Sequence, residues 1–287
     1  MDNEPGKKGM LYLVPTPIGN LEDMTMRAVR VLKEADLIAA EDTRNSRKIL
    51  THFDIHTPMV SYHEYNKYDK ARELTDRMLA GTTVALITDA GTPGISDPGE
   101  ELVKIAAEAG IRVSSLPGAC ALTTALTMSG LPTRRFCFEA FLPPRKKERM
   151  AVLEELKKET RTIVLYEAPH HLKETLGQLK EALGERDIVL LRELTKIHEE
   201  ALRMTLSEAE AFYENTDPRG EYVVVIRGID PEELEKESRR QWEEMDIPSH
   251  VQMYMQQGMD KKAAMKAAAS DRGMSRREIY AMLLDEK

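Results

Sequence analysis

The sequence predicts an α/β protein. Short apolar runs alternate with stretches of helical spacing as far as Gly228, polar Gly- and Pro-rich loops follow several of the runs, and the C-terminal end reads as wholly helical. Alternation of this kind gives a parallel sheet covered by helices on both faces.

Taken in order, MLYLVPT (10–16) is a strand that ends in Pro-Thr-Pro-Ile-Gly-Asn. Thr25–Glu34 has helical spacing, and ADLIAAE (35–41) is a second strand. Lys70–Ala80 is a helix closed by Gly81, a residue suited to a C-cap. TVALITD (83–89) is a strand, Glu100–Ala109 a helix stopped by Gly110, and IRVSSLP (111–117) a strand. A second unit begins after Pro117-Gly118. Its strands are RFCFEAFL (135–142), TIVLYEA (162–168), DIVLLREL (187–194) and EYVVVIRG (221–228), with helices at 147–158, 170–183 and 207–214. A Glu-rich linker follows Gly228. The tail then reads as a helix over 260–271, a turn at Gly273 and a second helix capped by Ser275, which is helix–turn–helix spacing. Three parts result: 1–117, 118–230 and 231–287.

Bulk properties bound the function. At 287 residues the chain is long enough for a sizeable core, and 41% hydrophobic with 5% aromatic residues fits an α/β protein better than an all-β one. No apolar run approaches the roughly 20 residues that span a membrane. The N-terminal MDNEPGKKGM has no apolar signal core, and Cys120 and Cys137 stand far apart without metal-ligand spacing, so free thiols in a reducing cytoplasm are expected. Adjacent His170 and His171 do not share a helix face, and no metal site is expected there. The net charge of −8 excludes a protein that coats nucleic acid over its whole surface. Basic residues gather locally, however, at Arg134, Arg135, Arg145, Lys146, Lys147 and Arg149, and again between Asp260 and Tyr280 with Arg276 and Arg277. A nucleic-acid partner would be met by those patches.

In open α/β sheets, ligands bind at the carboxyl ends of the strands. VPTPIGN and TDAGTPGISDPG both follow predicted strands of the first unit. The second places Gly91, Pro93, Gly94, Pro98 and Gly99 within nine positions, where a turn needs one or two such residues. That composition describes a long, stiff loop held close to something. Neither G-x-G-x-x-G nor a Walker A motif is present, which argues against phosphate cradling.

VPTPIGNLEDMT, AEDTR (40–44), ITDAGTPGISDPG, LPGACALTTALTMSGLP (116–132), FLPP (141–144), LYEAPHHL (165–172), RELTK (192–196) and RGEYVVVI (219–226) occur in one order. Together they resemble the ribosomal RNA 2′-O-methyltransferases of the tetrapyrrole (corrin/porphyrin) methylase superfamily. The resemblance covers roughly residues 10–285. It implies two α/β domains, the first sheet mostly parallel and the second mixed, with a helical C-terminal segment. It also implies S-adenosylmethionine in the cleft between the domains, a cytidine ribose of 16S rRNA as substrate (free or in the assembled 30S subunit), and a homodimer. By the same resemblance Gly91-Thr92-Pro93 wraps the cofactor through main-chain atoms, and Pro15 and Ile18 border it. Ala121, Tyr166, Ala168, Leu194 and Gly220 to Tyr222 would enclose its methionine and adenine parts. Where the tetrapyrrole enzymes usually carry Gly-Asp-Pro, this chain carries Gly-Thr-Pro, so a carboxylate role does not transfer to Thr92.

A ribose hydroxyl is a poor nucleophile at neutral pH, so a base or a nearby cation should assist its attack. Asp42 or His63 is the expected proton acceptor, and Arg44 or Lys196 the expected contact to the RNA backbone. Arg134, Arg135, Arg145, Lys146, Lys147, Arg276 and Arg277 are the expected wider RNA contacts. Two other readings stand beside this one: a methylase of a tetrapyrrole precursor using the same cofactor, and an RNA-binding protein that keeps the fold without catalysis.

Overall fold

The apolar runs become the strands of two five-stranded sheets in the computed structural model, which describes residues 8–240, 242 and 245–285. The reading of the N-terminal segment as free of an export signal falls mostly on residues 1–7, which lie outside the described residues. The first sheet holds β1 (Met10–Leu13), β2 (Leu37–Ala40), β3 (Met59–Ser61), β4 (Val84–Ile87) and β5 (Arg112–Ser115). Its order is β3-β2-β4-β1-β5, and every pairing is parallel. The crossovers run through α1 (Met26–Glu34), α2 (Thr43–His52), α3 (Lys67–Leu79) and α4 (Gly99–Glu108).

Side chains alternate across each strand, so successive residues feed different cores. Leu37, Ala39, Val84 and Leu86 pack with Leu74 and Met78 of α3 and Leu102 and Ala106 of α4. Ile38, Ala40, Ala85 and Ile87 pack with Ala28, Val31 and Leu32 of α1 and Leu50 of α2. Both faces being covered, β2 and β4 are buried at every position.

The second sheet is mixed. β6 (Phe136–Ala140), β7 (Thr162–Glu167), β8 (Asp187–Arg192), β9 (Glu200–Thr205) and β10 (Tyr222–Ile226) take the order β6-β7-β10-β8-β9. Only β6 and β7 run parallel. Val164, Val189, Leu191, Val223 and Val225 bury one face against Leu122, Ala125 and Leu126 of α5 (Ala121–Ser129). The remaining helices of this half are α6 (Lys146–Leu156), α7 (Pro169–Leu183) and α8 (Leu206–Glu214).

Four of these elements are absent from the sequence reading. β3 and β9 are sheet edges and nowhere fully buried, as β5 and β6 also are, but β3 is only three residues long and β9, EALRMT, breaks its apolar run with Glu200 and Arg203. In α2 only Ser46 and Leu50 are buried, and its sequence TRNSRKILTH hides the stripe. α5, ALTTALTMS, does carry a helical period, burying Leu122, Ala125, Leu126 and Ser129 with Thr123 and Thr127 exposed on the other side. The polar AEDTR stretch is therefore a junction, with Asp42 as the N-cap of α2.

By its internal contacts the chain divides into two units, Met1–Leu153 with Thr162–Arg227, and Glu154–Arg161 with Gly228–Lys287. Both sheets belong to the first. In the second, the acid-rich stretch after Gly228 forms α9 (Pro231–Arg240), followed by α10 (Ile247–Gln256), α11 (Lys261–Arg272) and α12 (Arg276–Asp285). Val251, Ala264, Met265, Ala268, Ala269 and Ile279 make its core. Gly273 closes α11 in the left-handed region, as the Gly-terminated helix requires. No helix among the described residues is long and apolar enough to cross a membrane.

Candidate active site

Parallel strands end together, and the register decides which polar residues meet. Ala40 of β2 pairs with Ile87 of β4 on one side and with Ser61 of β3 on the other. The chain beyond those positions supplies Glu41 and Asp42, Thr88 and Asp89, and Tyr62 and His63, side by side. A cavity of about 450 Å³ opens there in the first unit, lined in part by Glu41, Thr88 and Asp89. Ile18, Ile95, Leu194, Val223, Phe141 and Tyr166 give it apolar walls.

The Gly/Pro loop is stiffened from within. Asp97 accepts from the backbone N–H groups of Gly94, Ile95 and Gly99 at 2.7, 3.0 and 2.8 Å. Burial pushes the Asp97 carboxyl above the ordinary range, against the pull of those three donors. The Thr92 hydroxyl donates to the Ala119 carbonyl at 2.9 Å. Gly91 exchanges two backbone bonds with Thr16, at 2.9 and 3.0 Å. Its amide and carbonyl are thus already engaged, and what it offers the cavity is the absence of a side chain. With φ at +84° it holds a conformation that favours glycine, and a Cβ there would stand 3.2 Å from Ile18 Cγ2.

Backbone strain gathers at the same place. Of the five non-glycine residues with positive φ among the described residues, Ser96 lines the cavity, Glu193 and Thr195 flank Leu194, and Ala140 precedes Phe141. Such conformations concentrate at binding sites.

The expected cofactor residues separate into two groups. Ile18, Gly91, Thr92, Ala121, Tyr166, Ala168, Leu194 and Tyr222 all line the cavity. Pro15, Pro93 and Gly220 do not. Pro15 is packed on Gly118, where a Cβ would fall 2.6 Å from the proline Cβ, so this pair joins two loops behind the wall. Gly220 lies against the Glu193 side chain in the same manner. The Tyr166 hydroxyl accepts from the Leu122 N–H at 3.2 Å, and burial pushes its pKa up to about 12, so it stays a neutral phenol.

None of the four expected catalytic residues lines the cavity, although Asp42 is hydrogen-bonded to the lining residue Asp89 and Lys196 to the lining residue Glu221. The Asp42 carboxylate accepts from the Arg44 backbone N–H at 2.8 Å, and that bond holds its pKa below the ordinary carboxylate value. The Arg44 side chain is exposed, with its Nε 3.7 Å from Asp42. His63 keeps a buried Nδ1 with no partner among the described residues. Lys196 Nζ binds Glu193 at 2.8 Å and Glu221 at 3.0 Å. Burial opposes its charge, but the two carboxylates outweigh it and the pKa is raised. Sequence reading passes over Asp89. It accepts from the Asp42 N–H at 3.2 Å, and its pKa is raised by burial first and by the Glu41 charge second. The expected RNA contacts Arg134, Arg135, Arg145, Lys146 and Lys147 are exposed on the first unit, and Arg276 and Arg277 on the second. Arg149 instead clamps its own loop, bonding Pro143 O, Glu174 and Gln178.

Five charged side chains line the cavity, Glu41, Asp89, Asp97, Glu167 and Glu221, and all are acids. A phosphate-bearing ligand would be repelled, whereas a ligand with a flat apolar part and a positive centre is matched. Among the described residues no three His, Cys, Asp or Glu side chains are grouped to hold a metal ion.

A two-sheet frame with a cavity of this kind defines the class, and the chain belongs to the tetrapyrrole (corrin/porphyrin) methylase family, whose model matches residues 10–210. Its curated relatives narrow the group. The chain is 50% identical over 277 residues to the ribosomal RNA small subunit methyltransferase I of Halalkalibacterium halodurans, covering 95% of this chain and 94% of the relative. It is 47% identical over 278 residues to the protein of the same name from Bacillus subtilis, covering 97% and 95%. Among solved structures, the Thermus thermophilus uroporphyrin-III C-methyltransferase complexed with S-adenosyl homocysteine matches with a TM-score of 0.53 at 19% identity, over 76% of this chain and 97% of that one.

Proposed function

We propose that this chain transfers the methyl group of S-adenosylmethionine to the ribose 2′-hydroxyl of a cytidine in 16S rRNA. The substrate is free rRNA or the assembled 30S subunit, and the protein works as a homodimer in the cytoplasm. Residues 1–117 and 118–230 would carry the two sides of the cleft, and 231–287 the appended segment. The names of the relatives favour rRNA over a tetrapyrrole precursor. One observation carries the cofactor reading: a cavity with apolar walls whose charged lining residues are all acids.

S-adenosylmethionine, when bound, supplies an electrophilic methyl group on a sulfonium leaving group. Ile18, Leu194, Val223 and Tyr166 offer apolar surface to its adenine and methionine chain, and Glu41 and Asp89 an attractive field for its positive centres. Asp89 takes the proton from the 2′-hydroxyl. Asp89 and Asp97 both combine a place in the lining with a raised pKa, the property that suits a general base, but Asp97 is taken up by the three backbone donors of its own loop. Asp42 is committed to the cap of α2, and His63 stands beside it with its unpartnered Nδ1. Arg44 and Lys196 would meet phosphates of the RNA, and the exposed bases at 134–147 of the first unit and 276–277 of the second are each proposed as further RNA contacts. A thermal-shift series tests the cofactor assignment. S-adenosylmethionine at 100 times its Kd should stabilise the protein by about 2.7 kcal/mol, and adenosine triphosphate should not. Stabilisation by the triphosphate alone would reverse the assignment.

A further inference from the structure

Helix α2 carries a basic face that composition does not reveal. It turns Ser46 and Leu50 inward, which leaves Arg44, Arg47 and Lys48 on the opposite side at i, i+3 and i+4. All three are exposed, the ten-residue helix contains no acid, and among the described residues neither Arg47 nor Lys48 is ion-paired. In a chain of net charge −8 such a face is out of character. Its position matters more. The helix starts two residues after Glu41, which lines the cavity, and it leads into β3, the neighbour of β2.

Past β3 the chain makes a pinned turn. The Asn66 side chain accepts from the His63 N–H at 2.8 Å and donates to the Ser61 carbonyl at 3.3 Å. That turn holds Tyr65 with 97% of its surface exposed, and Tyr68 follows at 57%. Tyr65 on this fixed turn therefore buries almost nothing in its own unit, whereas Tyr68, in the first turn of α3, is partly covered. Lys67 lies 5.3 Å over the Tyr68 ring. Lys67 itself is paired with Glu64 at 2.6 Å, so the cations without an ion-pair partner among the described residues are Arg47 and Lys48 of α2. An exposed ring and such cations are the two parts of a surface for single-stranded nucleic acid, the ring for base stacking and the cations for phosphates.

We infer that the α2 face, through Arg47 and Lys48, and Tyr65 on the turn after β3 grip the RNA strand flanking the target nucleotide, with its phosphates on the helix and one base stacked on the tyrosine. The inference rests on the rRNA-methyltransferase reading and deepens it. A basic face with no acid on its own helix, set beside the chain that leads to the cavity, suits the phosphates of an RNA strand.

The test uses the full chain with 30S subunits, the wild type serving as the control for the reading itself. Arg47→Gln/Lys48→Gln should leave cofactor affinity and kcat unchanged and raise KM. It should also cut the slope of log affinity against log salt by about 1.4–1.8, two phosphate contacts' worth. Tyr65→Ala should weaken RNA binding by about 5- to 150-fold, and Tyr65→Phe should restore it, because the ring rather than the hydroxyl does the stacking. Lys48→Gln alone, with about half the change in slope, gives a second reading if the double variant loses cofactor binding. A wild type that methylates 30S while these variants keep its KM and salt slope overturns the inference and spares the function. A wild type that methylates no RNA overturns the function. Conversion of a dimer to a monomer by Tyr65→Ala, at unchanged salt slope in the Gln variants, reassigns the surface to a subunit seam and also overturns the inference.

Discussion

Asp89 lines the cavity at an exposed position beside other acids, where its charge costs only a little. Burial and the Glu41 carboxylate raise its pKa, so the folded protein retains a proton that the unfolded chain has already lost at the same pH. Between the ordinary carboxylate pKa of 3.8 and the raised one, this group's contribution to stability therefore grows as pH falls, and above the raised pKa it is a constant cost. Asp89→Asn should accordingly raise Tm at neutral pH while lowering the methylation rate by roughly 10²–10⁴-fold. The acid limb of the wild-type rate profile should lie above the ordinary carboxylate range and vanish in the variant. A lower Tm at neutral pH would contradict this electrostatic account. Gly91 sets a second test. Valine there must adopt a positive φ, at about 1–2 kcal/mol, and must displace Ile18 from the cavity wall. Gly91→Val should weaken S-adenosylmethionine binding at least tenfold by calorimetry, with both sheets still folded by circular dichroism. Unchanged affinity would remove Gly91 from the wall. The motifs marked the Gly/Pro loop and its neighbours as a site, but Asp89 emerges only when Ala40 and Ile87 are set in register and bring the ends of β2 and β4 together.

At the scale of elements, legibility followed burial. Strands covered on both faces, such as β4 and β10, read directly as apolar runs. The edges β3 and β9 and the half-polar α2 did not, because three residues in β3 and the charges within EALRMT and TRNSRKILTH leave no clean apolar pattern, whereas the equally exposed edges β5 and β6 keep one. The α2 cations and, on the turn after β3, His63 and Tyr65 thus belong to segments that the sequence reads poorly. The C-terminal helices were legible from their caps. Ser275 Oγ accepts from the Glu278 N–H at 3.2 Å, and Glu278 returns a bond to the Ser275 N–H at 2.6 Å, a reciprocal capping box. Ser275→Ala should cost α12 about 0.5–2 kcal/mol, read as faster amide exchange across 276–285 with S-adenosylmethionine affinity unchanged. Equal exchange in both proteins would show that packing of Ile279, not the cap, holds the helix.

Across the whole molecule the charge is arranged against its own average. Net charge is −8 and the cavity's charged lining is wholly acidic, yet exposed bases stand on α2 and at the start of α6 in the first unit, and at the start of α12 in the second. That separation suits a protein that draws a positive small molecule inward and a polyanion across its surface. Its parts were legible separately in composition and motif, but the distance from patch to pocket is a property of the folded chain. The central claim is the joining of the two in one reaction. The purified protein should be incubated with methyl-labelled S-adenosylmethionine and 30S subunits from a strain lacking this methylation, with 50S subunits and uroporphyrinogen in parallel. Label should enter 30S subunits alone, and mapping should place it on the ribose 2′-oxygen of one 16S cytidine. Transfer to uroporphyrinogen, or none to 30S subunits or free 16S rRNA, would contradict the account.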